Sequence, residues 1–199
     1  MARPREFDEA VVLEAAMECF WAHGYEATSV RDLVHQTGIT GASLYNAFGD
    51  KRLLYRRSLD HYLDQSVRSR VARFRQLPAE EAIHGFFEEI VERSVTDRER
   101  RGCMLVNATL ELAPHDPEFR RIVAEELALL ETFFRECVLA GQQDGTITRA
   151  RSDDDLARLL LSVLLGVRVL ARIRPQRAVL EGAVKSALAL LVPGAKEER

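Results

Sequence analysis

"SVRDLVHQTGITGASLYNAFGDKRLL", residues 29–54, decides how this chain reads. It holds two short amphipathic segments parted by Gly38-Ile39-Thr40. Ser29, with Asp32 three residues on, makes a capping-box variant that opens one helix, with Val30, Leu33 and Val34 on one side, and Gly38 stops it. Thr40 caps the next helix, whose Leu44 and Phe48 point inward together with Ile39 from the turn. Gly49-Asp50 makes a second break, with Asp50 capping a fourth helix. Upstream, Val12, Ala16, Cys19 and Phe20 mark one face of a helix from Asp8 to His23, ended at Gly24. Two short helices joined through a glycine turn, behind a first helix, form a helix-turn-helix. Such a unit lays its second helix in the major groove of DNA while the first crosses the backbone.

With Leu44 and Phe48 inward, Gly41, Ala42, Ser43, Tyr45 and Asn46 face out. Ala42 offers a methyl to a thymine methyl, Ser43 and Asn46 donate and accept at base edges, and Tyr45 reaches a phosphate or sugar. Gly41 lets the backbone come close. The two capping hydroxyls, Ser29 and Thr40, are counted with this DNA-binding set. Cations come from the flanks: Arg31, Lys51, and Arg3 and Arg5 of the N-terminal arm. Residues 1–52 carry five basic and eight acidic side chains, a net of −3, the same as the whole chain. The acidic residues of the first helix must therefore face away from the duplex.

The stretch "FWAHGYEATSVRDLVHQTGITGASLYNAFGDKRLLY", residues 20–55, resembles the N-terminal signature of the TetR family of one-component transcriptional regulators. The positions that carry the resemblance are Phe20, Gly24-Tyr25, Thr28-Ser29-Val30, Gly38-Ile39-Thr40, Leu44-Tyr45, Phe48 and Lys51. Family members usually have an aromatic where this chain has Ala47 and often a basic residue where it has Gly41, so operator contacts need not copy those of better-known members. The segment "RGCMLVNATLELAPHDPEF", residues 101–119, is similar to a subgroup with a Gly-Cys start to its sixth helix. The resemblance implies a dimeric repressor released from DNA by a small molecule.

The 199 residues together are 47% apolar and 30% charged, rich in Ala, Leu, Glu and Arg, the composition of a helical protein. The fourth helix spans about residues 51–76, and five more follow at about 79–96, 102–113, 117–142, 153–173 and 176–192. The expected fold is all-α with about nine helices: a DNA-binding head over residues 1–50 and a larger effector-binding and dimerisation body over 51–199. "GTITR", 145–149, is too short to seed a sheet. "SDDD", 152–155, reads as Ser152 capping the eighth helix, with aspartates on its positive end.

One head reads few base pairs, so specificity calls for two heads on a palindromic operator with half-sites about 34–36 Å per helical turn apart. For the dimer face the eighth helix offers Leu156, Leu159, Leu160, Val163, Leu164 and Val167, and the ninth Leu180, Val184, Ala187, Leu188 and Leu191. The same stripes also suit an intramolecular core. A pocket for an amphipathic effector has candidates in Phe86, Phe87, Phe133, Phe134, Met104 and Leu110, which equally suit ordinary core. Asn107 and Glu111, four apart, read either as a structural hydrogen-bond pair or as effector contacts.

Cys103 follows Arg101 and Gly102 near a helix start, where dipole and basic neighbours favour a reactive thiolate. It reads as a pocket residue, as an electrophile or oxidant sensor in an alternative thiol-based regulator, or as a small buried apolar side chain. Cys19 reads as core. Three unpaired cysteines and no apolar leader point to a reducing, cytoplasmic setting. No run approaches 18 uncharged apolar residues, so no membrane partner is expected. The histidines lack ligand spacing, and no glycine phosphate loop, nucleophile elbow or zinc-protease motif occurs; neither enzyme activity, metal nor cofactor is expected.

Overall fold

All regular elements among residues 7–194, the part of the chain that the computed structural model describes, are helical. Asp8 accepts from the Ala10 amide at 2.8 Å and opens α1, Glu9–His23. Ser29 and Asp32 close a reciprocal capping box on α2, Val30–Thr37, which ends at Gly38 in the left-handed region, φ 71°. Thr40 caps α3, Gly41–Phe48, and Asp50 caps α4, Lys51–Leu63, through the Leu53 amide at 2.8 Å. There follow α5, Ser69–Phe74; α6, Ala79–Thr96; α7, Met104–Glu111; and α8, Pro117–Asp144. Ser152 caps α9, Asp153–Ile173, by accepting from the Asp155 amide at 3.1 Å, so the aspartate cluster serves a helix start. Helix α10, Arg177–Leu188, runs on into a 3₁₀ turn, Ala189–Leu191.

The expected single helix over residues 51–76 is interrupted by a π turn, Asp64–Arg68. The physical reason lies in the spacing of its buried residues. Tyr55, Leu59, Leu63, Val67 and Val71 are all buried and stand four apart. In an α-helix each step of four overshoots a full turn by about 40°, and the wider π turn takes up that drift.

Contacts divide the chain into two compact units: the chain up to Val67 with Cys103–Val123, and Arg68–Gly102 with the chain from Ala124 onward. In the first, α1 packs on α2 and α4, α3 on α2 and α4, and α7 on α4. Tyr55 is its centre, meeting Phe20, Tyr25 and Phe119 edge-on at 5.0, 5.1 and 5.5 Å between ring centroids. Burial pushes its phenol well above the ordinary range.

In the second unit α9 packs against α6 and α10. Phe86 meets Phe74, Phe87, Phe133 and Phe134 at centroid distances of 5.2–6.0 Å. Buried Arg168 donates to Ser94 Oγ at 2.9 Å and to the Gly102 carbonyl, and Arg68 Nε donates to the buried Glu126 carboxylate at 2.9 Å.

The stripes named for a dimer face, which equally suited an intramolecular core, lie largely inside this chain. Leu156, Leu160, Leu164, Val167, Leu180, Val184, Ala187, Leu188 and Leu191 are all buried within this chain. They have almost no area left for a second copy, because α6, α9 and α10 cover them among themselves. Leu159 and Val163 are half-buried at the edge. Helix α9 carries a second apolar face outside that stripe, with Val169 41% and Ile173 72% exposed.

Candidate nucleic-acid interface

Leu44 and Phe48 are the two buried residues of α3, 0% and 4% exposed, and they fix which side of that short helix faces water. Ala42 and Asn46 are exposed; Gly41, Ser43 and Tyr45 are half-buried on the flanks of the same face. Thr40 Oγ1 accepts from the Ser43 amide at 3.2 Å and donates to Ser43 Oγ at 3.0 Å. The Ser43 hydroxyl therefore keeps its own proton for an outside acceptor. Burial, helped by Asp50, raises the Tyr45 phenol, which stays a neutral donor at physiological pH. A Cβ added at Gly41 would lie 3.4 Å from Val30 Cγ1, ordinary contact, so the packing does not demand glycine there. Val30, grouped by sequence with Leu33 and Val34 on one side of α2, is 41% exposed beside this turn; Leu33 is fully buried and Ile39 half-buried.

Of the described cations, Lys51 and Arg57 come from α4, after the C-terminal end of α3, and Arg31 from α2. Lys51 Nζ lies 4.5 Å from the centre of the Tyr25 ring, and Arg31 is exposed on α2. Arg57, which the sequence reading did not single out, lies over the Phe48 ring at 4.5 Å and donates to the Ala47 carbonyl at 3.5 Å. It comes to the C-terminal end of α3 from nine residues further on, and only the crossing of α4 over α3 brings it there. Arg3 and Arg5 lie outside the described residues. Ser29 and Thr40 are exposed at the two helix starts. One acidic side chain of α1 is met by a cation of α4, Glu9 by Arg57 at 3.6 Å, and Glu14 stands 2.6 Å from His61 Nε2.

Two clasps hold α7 and the start of α8 to the head within the first unit. Glu111 Oε2 accepts from the Tyr25 amide at 2.7 Å, and its other oxygen would stand 2.4 Å from a Cβ on Gly24. Arg52 donates to Asp116 at 2.7 Å and to Glu118 at 2.6 Å, and Arg56 meets Glu118 at 2.9 Å. The Arg52 guanidinium holds the Asp116 carboxyl down at about 2, aided by the Glu118 and Phe119 amides. A depressed carboxylate adds stability that is complete above its unfolded value, near 4, and vanishes as pH falls through the folded one. Asp116→Asn is expected to flatten the acid limb of the stability curve between about pH 4 and pH 2, read by denaturant titration at each pH. An unchanged limb would assign that limb to other carboxylates.

The residues named for an effector pocket are divided between the two units. Phe86, Phe87, Phe133 and Phe134 belong to the second unit, packed on one another at 0–1% exposure. Met104 and Asn107 are buried in the first unit, while Leu110 is 68% exposed. About 100° per residue separates neighbours on a helix, so with Met104 and Ala108 inward, Leu110 points out. Glu111 turns to Tyr25 rather than to Asn107.

Cys103, 9% exposed, accepts a hydrogen bond from the Tyr62 hydroxyl at 3.5 Å, and Arg101, named as its activating neighbour, pairs with Asp97 and Glu99 at 3.4 Å each. Burial, with Glu136 adding, pushes the Cys137 thiol up to about 11, and burial also raises Cys19; neither is a ready nucleophile at neutral pH. Among the described residues no helix is long and apolar enough to cross a membrane, and no three His, Cys, Asp or Glu side chains cluster to hold a metal.

A capped α3 whose outer face offers small hydrogen-bonding groups, set behind α1 and α2, defines a helix-turn-helix DNA-binding protein. Residues 12–57 match the family described as bacterial regulatory proteins, tetR family, and residues 79–187 match the tetracyclin repressor-like C-terminal domain. The chain belongs to the TetR family of transcriptional regulators, which are DNA-binding proteins and not enzymes. It is 33% identical to the HTH-type transcriptional regulator YezE of Bacillus subtilis (strain 168), over 96% of this chain and 100% of that protein. It is 30% identical to the HTH-type transcriptional repressor ComR of Escherichia coli (strain K12), over 85% and 82% of the two chains. A cysteine-substituted TetR family regulator, CifR, solved with 26-base-pair double-strand operator DNA, superposes with a TM-score of 0.84 at 34% identity, covering 96% of this chain and 100% of that one.

Proposed function

We propose that the chain acts in the cytoplasm as a homodimer that represses transcription from a palindromic operator and is released by a small amphipathic effector. The observation that carries the DNA part is the outer face of α3, where Ala42, Ser43 and Asn46 stand clear of the core behind Leu44 and Phe48. Supporting it, CifR was solved on operator DNA and ComR is named a repressor. The division of labour is a head over residues 1–50 and a sensing and pairing body over 51–199.

The dimer would use the outward faces of α9 and α10. Leu159, Val163, Val169 and Ile173 stand at intervals of four, six and four residues on α9, with Gly166 and, on α10, Gly182 open to close approach by another helix. A second copy there presents two heads, and selection of bound sequences from random DNA should return a palindrome. Recovery of no enriched sequence would remove the reading's main support.

Asn46→Ala removes a base-edge group without touching the core. It is expected to weaken operator binding by about tenfold to a hundredfold at fixed salt, with an unchanged melting curve. An affinity unchanged within twofold would place base reading elsewhere. Effector release by about a hundredfold needs about 2.7 kcal/mol of coupling, so the ligand must favour the non-binding conformation by that much.

A second reading has one observation in its favour: the Tyr62 hydroxyl donates to the Cys103 sulfur at the N-cap of α7, the helix that ends on the Glu111 clasp. Oxidation or alkylation there would push Tyr62 aside and shift the start of α7. If Cys103→Ser keeps the full response of DNA binding to N-ethylmaleimide, this thiol-sensing reading is excluded.

A further inference from the structure

Between α6 and α10, closed at one end by Phe74 of α5, the second unit opens a groove of about 1000 Å³. That is at the upper end of the range of pockets that hold small ligands, about 300–1,000 Å³. Phe87, Val91, Val184 and Leu188 form an apolar floor, and Gly85 keeps α6 low enough for the Phe74 ring to lie across it: a Cβ there would stand 2.7 Å from Phe74 Cε1.

The two edges differ in charge. On α10 the edge carries no excess of negative charge, since Glu181 meets Lys185 at 2.8 Å and Arg177 at 3.4 Å. On α6 the edge is a file of residues four apart, Glu80, His84, Glu88 and Glu92, which stacks them along one side of the helix. Glu92 is met by Arg177 at 2.6 Å, whereas Glu80 and Glu88 present exposed carboxylates beside the apolar floor. Glu89, the remaining acidic side chain of the wall, is taken up by Arg70, Arg73 and Arg93, none of which lines the groove.

We propose that this groove binds a monocationic amphiphile, a quaternary ammonium or phosphonium with aryl or alkyl substituents, its apolar body on the Phe87–Val91–Leu188 floor and its cation at the Glu80–Glu88 edge. An anionic or zwitterionic ligand of equal size meets the wrong sign at that edge. As a site the groove stands on its own geometry; as the effector site it rests on the reading of the chain as an effector-responsive repressor.

The probe is tetraphenylphosphonium, titrated calorimetrically into the full chain beside neutral triphenylphosphine oxide. The cation is expected to bind the more tightly. Glu80→Gln combined with Glu88→Gln should weaken it by about fivefold, the worth of one exposed charge contact, since the two residues stand about 12 Å apart along α6 and a single cation meets one carboxylate at a time, and leave the neutral compound unaffected. Ala189→Trp, from an exposed lining position, should fill the groove and abolish binding of both. Equal loss of both ligands in the double glutamine variant, indifference to Ala189→Trp, or absence of binding heat up to about 1 mM would overturn the proposal. So would cation affinity that falls with rising protein concentration, which would assign the groove to a second copy. A gel shift on the selected operator reads the other question separately. A saturated groove with unchanged operator affinity leaves the site standing and removes its role as effector site.

Discussion

Gly24→Ala should cost about 3 kcal/mol or more of folding stability, although the change adds only one methyl group. Gly24 sits at φ 86°, ψ 171°, a region open in practice only to glycine, where a side chain costs about 1–3 kcal/mol. Its added Cβ would also meet Glu111 Oε1 at 2.4 Å, so the carboxylate must leave and the Tyr25 amide loses its partner at 2.7 Å. An amide left without its charge-assisted bond costs about 1–3 kcal/mol more. Chemical denaturation followed by circular dichroism measures the sum. Glu111→Ala alone is expected to lose only the hydrogen bond, and the double variant to lose less than the two single changes added, by about 1 kcal/mol, because the clash needs both partners. Strict additivity would mean that Glu111 does not press on Gly24 in solution.

Phe86→Ala is expected to cost about 3–5 kcal/mol, the range for a phenylalanine removed from a filled core. Phe86 is 1% exposed and touches Phe74, Phe87, Phe133 and Phe134, all with centroids within 6.0 Å. Those rings come from three helices, so the hole left by its loss cannot close by rotating one side chain. The same variant decides what the aromatic cluster is for. Side chains that line an empty effector cavity have no partners on one side and lose little on truncation. A cost under about 1 kcal/mol, in the same denaturation experiment, would return these phenylalanines to the pocket.

The head was legible because its signals are local. Ser29 with Asp32, Thr40 with Ser43 and Asp50 with Leu53 each act across three residues, and Gly24, Gly38 and Gly49 all stand at positive φ where the chain breaks. The outward set on α3 followed from the burial of Leu44 and Phe48 alone. The π turn after α4 was overlooked, although repeated spacing of four from Tyr55 to Val71 carried its signature. Arg57 was overlooked for a different reason: nothing within its own helix says that its guanidinium lies on the Phe48 ring.

The local order of the chain, taken alone, determined nine helical stretches, their caps and a helix-turn-helix of TetR type, since periodicity and capping act within a turn or two. It also supplied an apolar stripe on α9 that suited either a dimer face or the chain's own core. Tertiary packing made that choice, burying Leu156, Leu160, Leu164 and Val167 against the chain's own α6 and α10 and leaving Val169 and Ile173 in water. It likewise carried Glu111 across 86 residues of sequence to the Tyr25 amide and set Asp116 on Arg52. Pairings of that kind depend on which surfaces meet once the helices condense, and no pattern shorter than the fold itself encodes them.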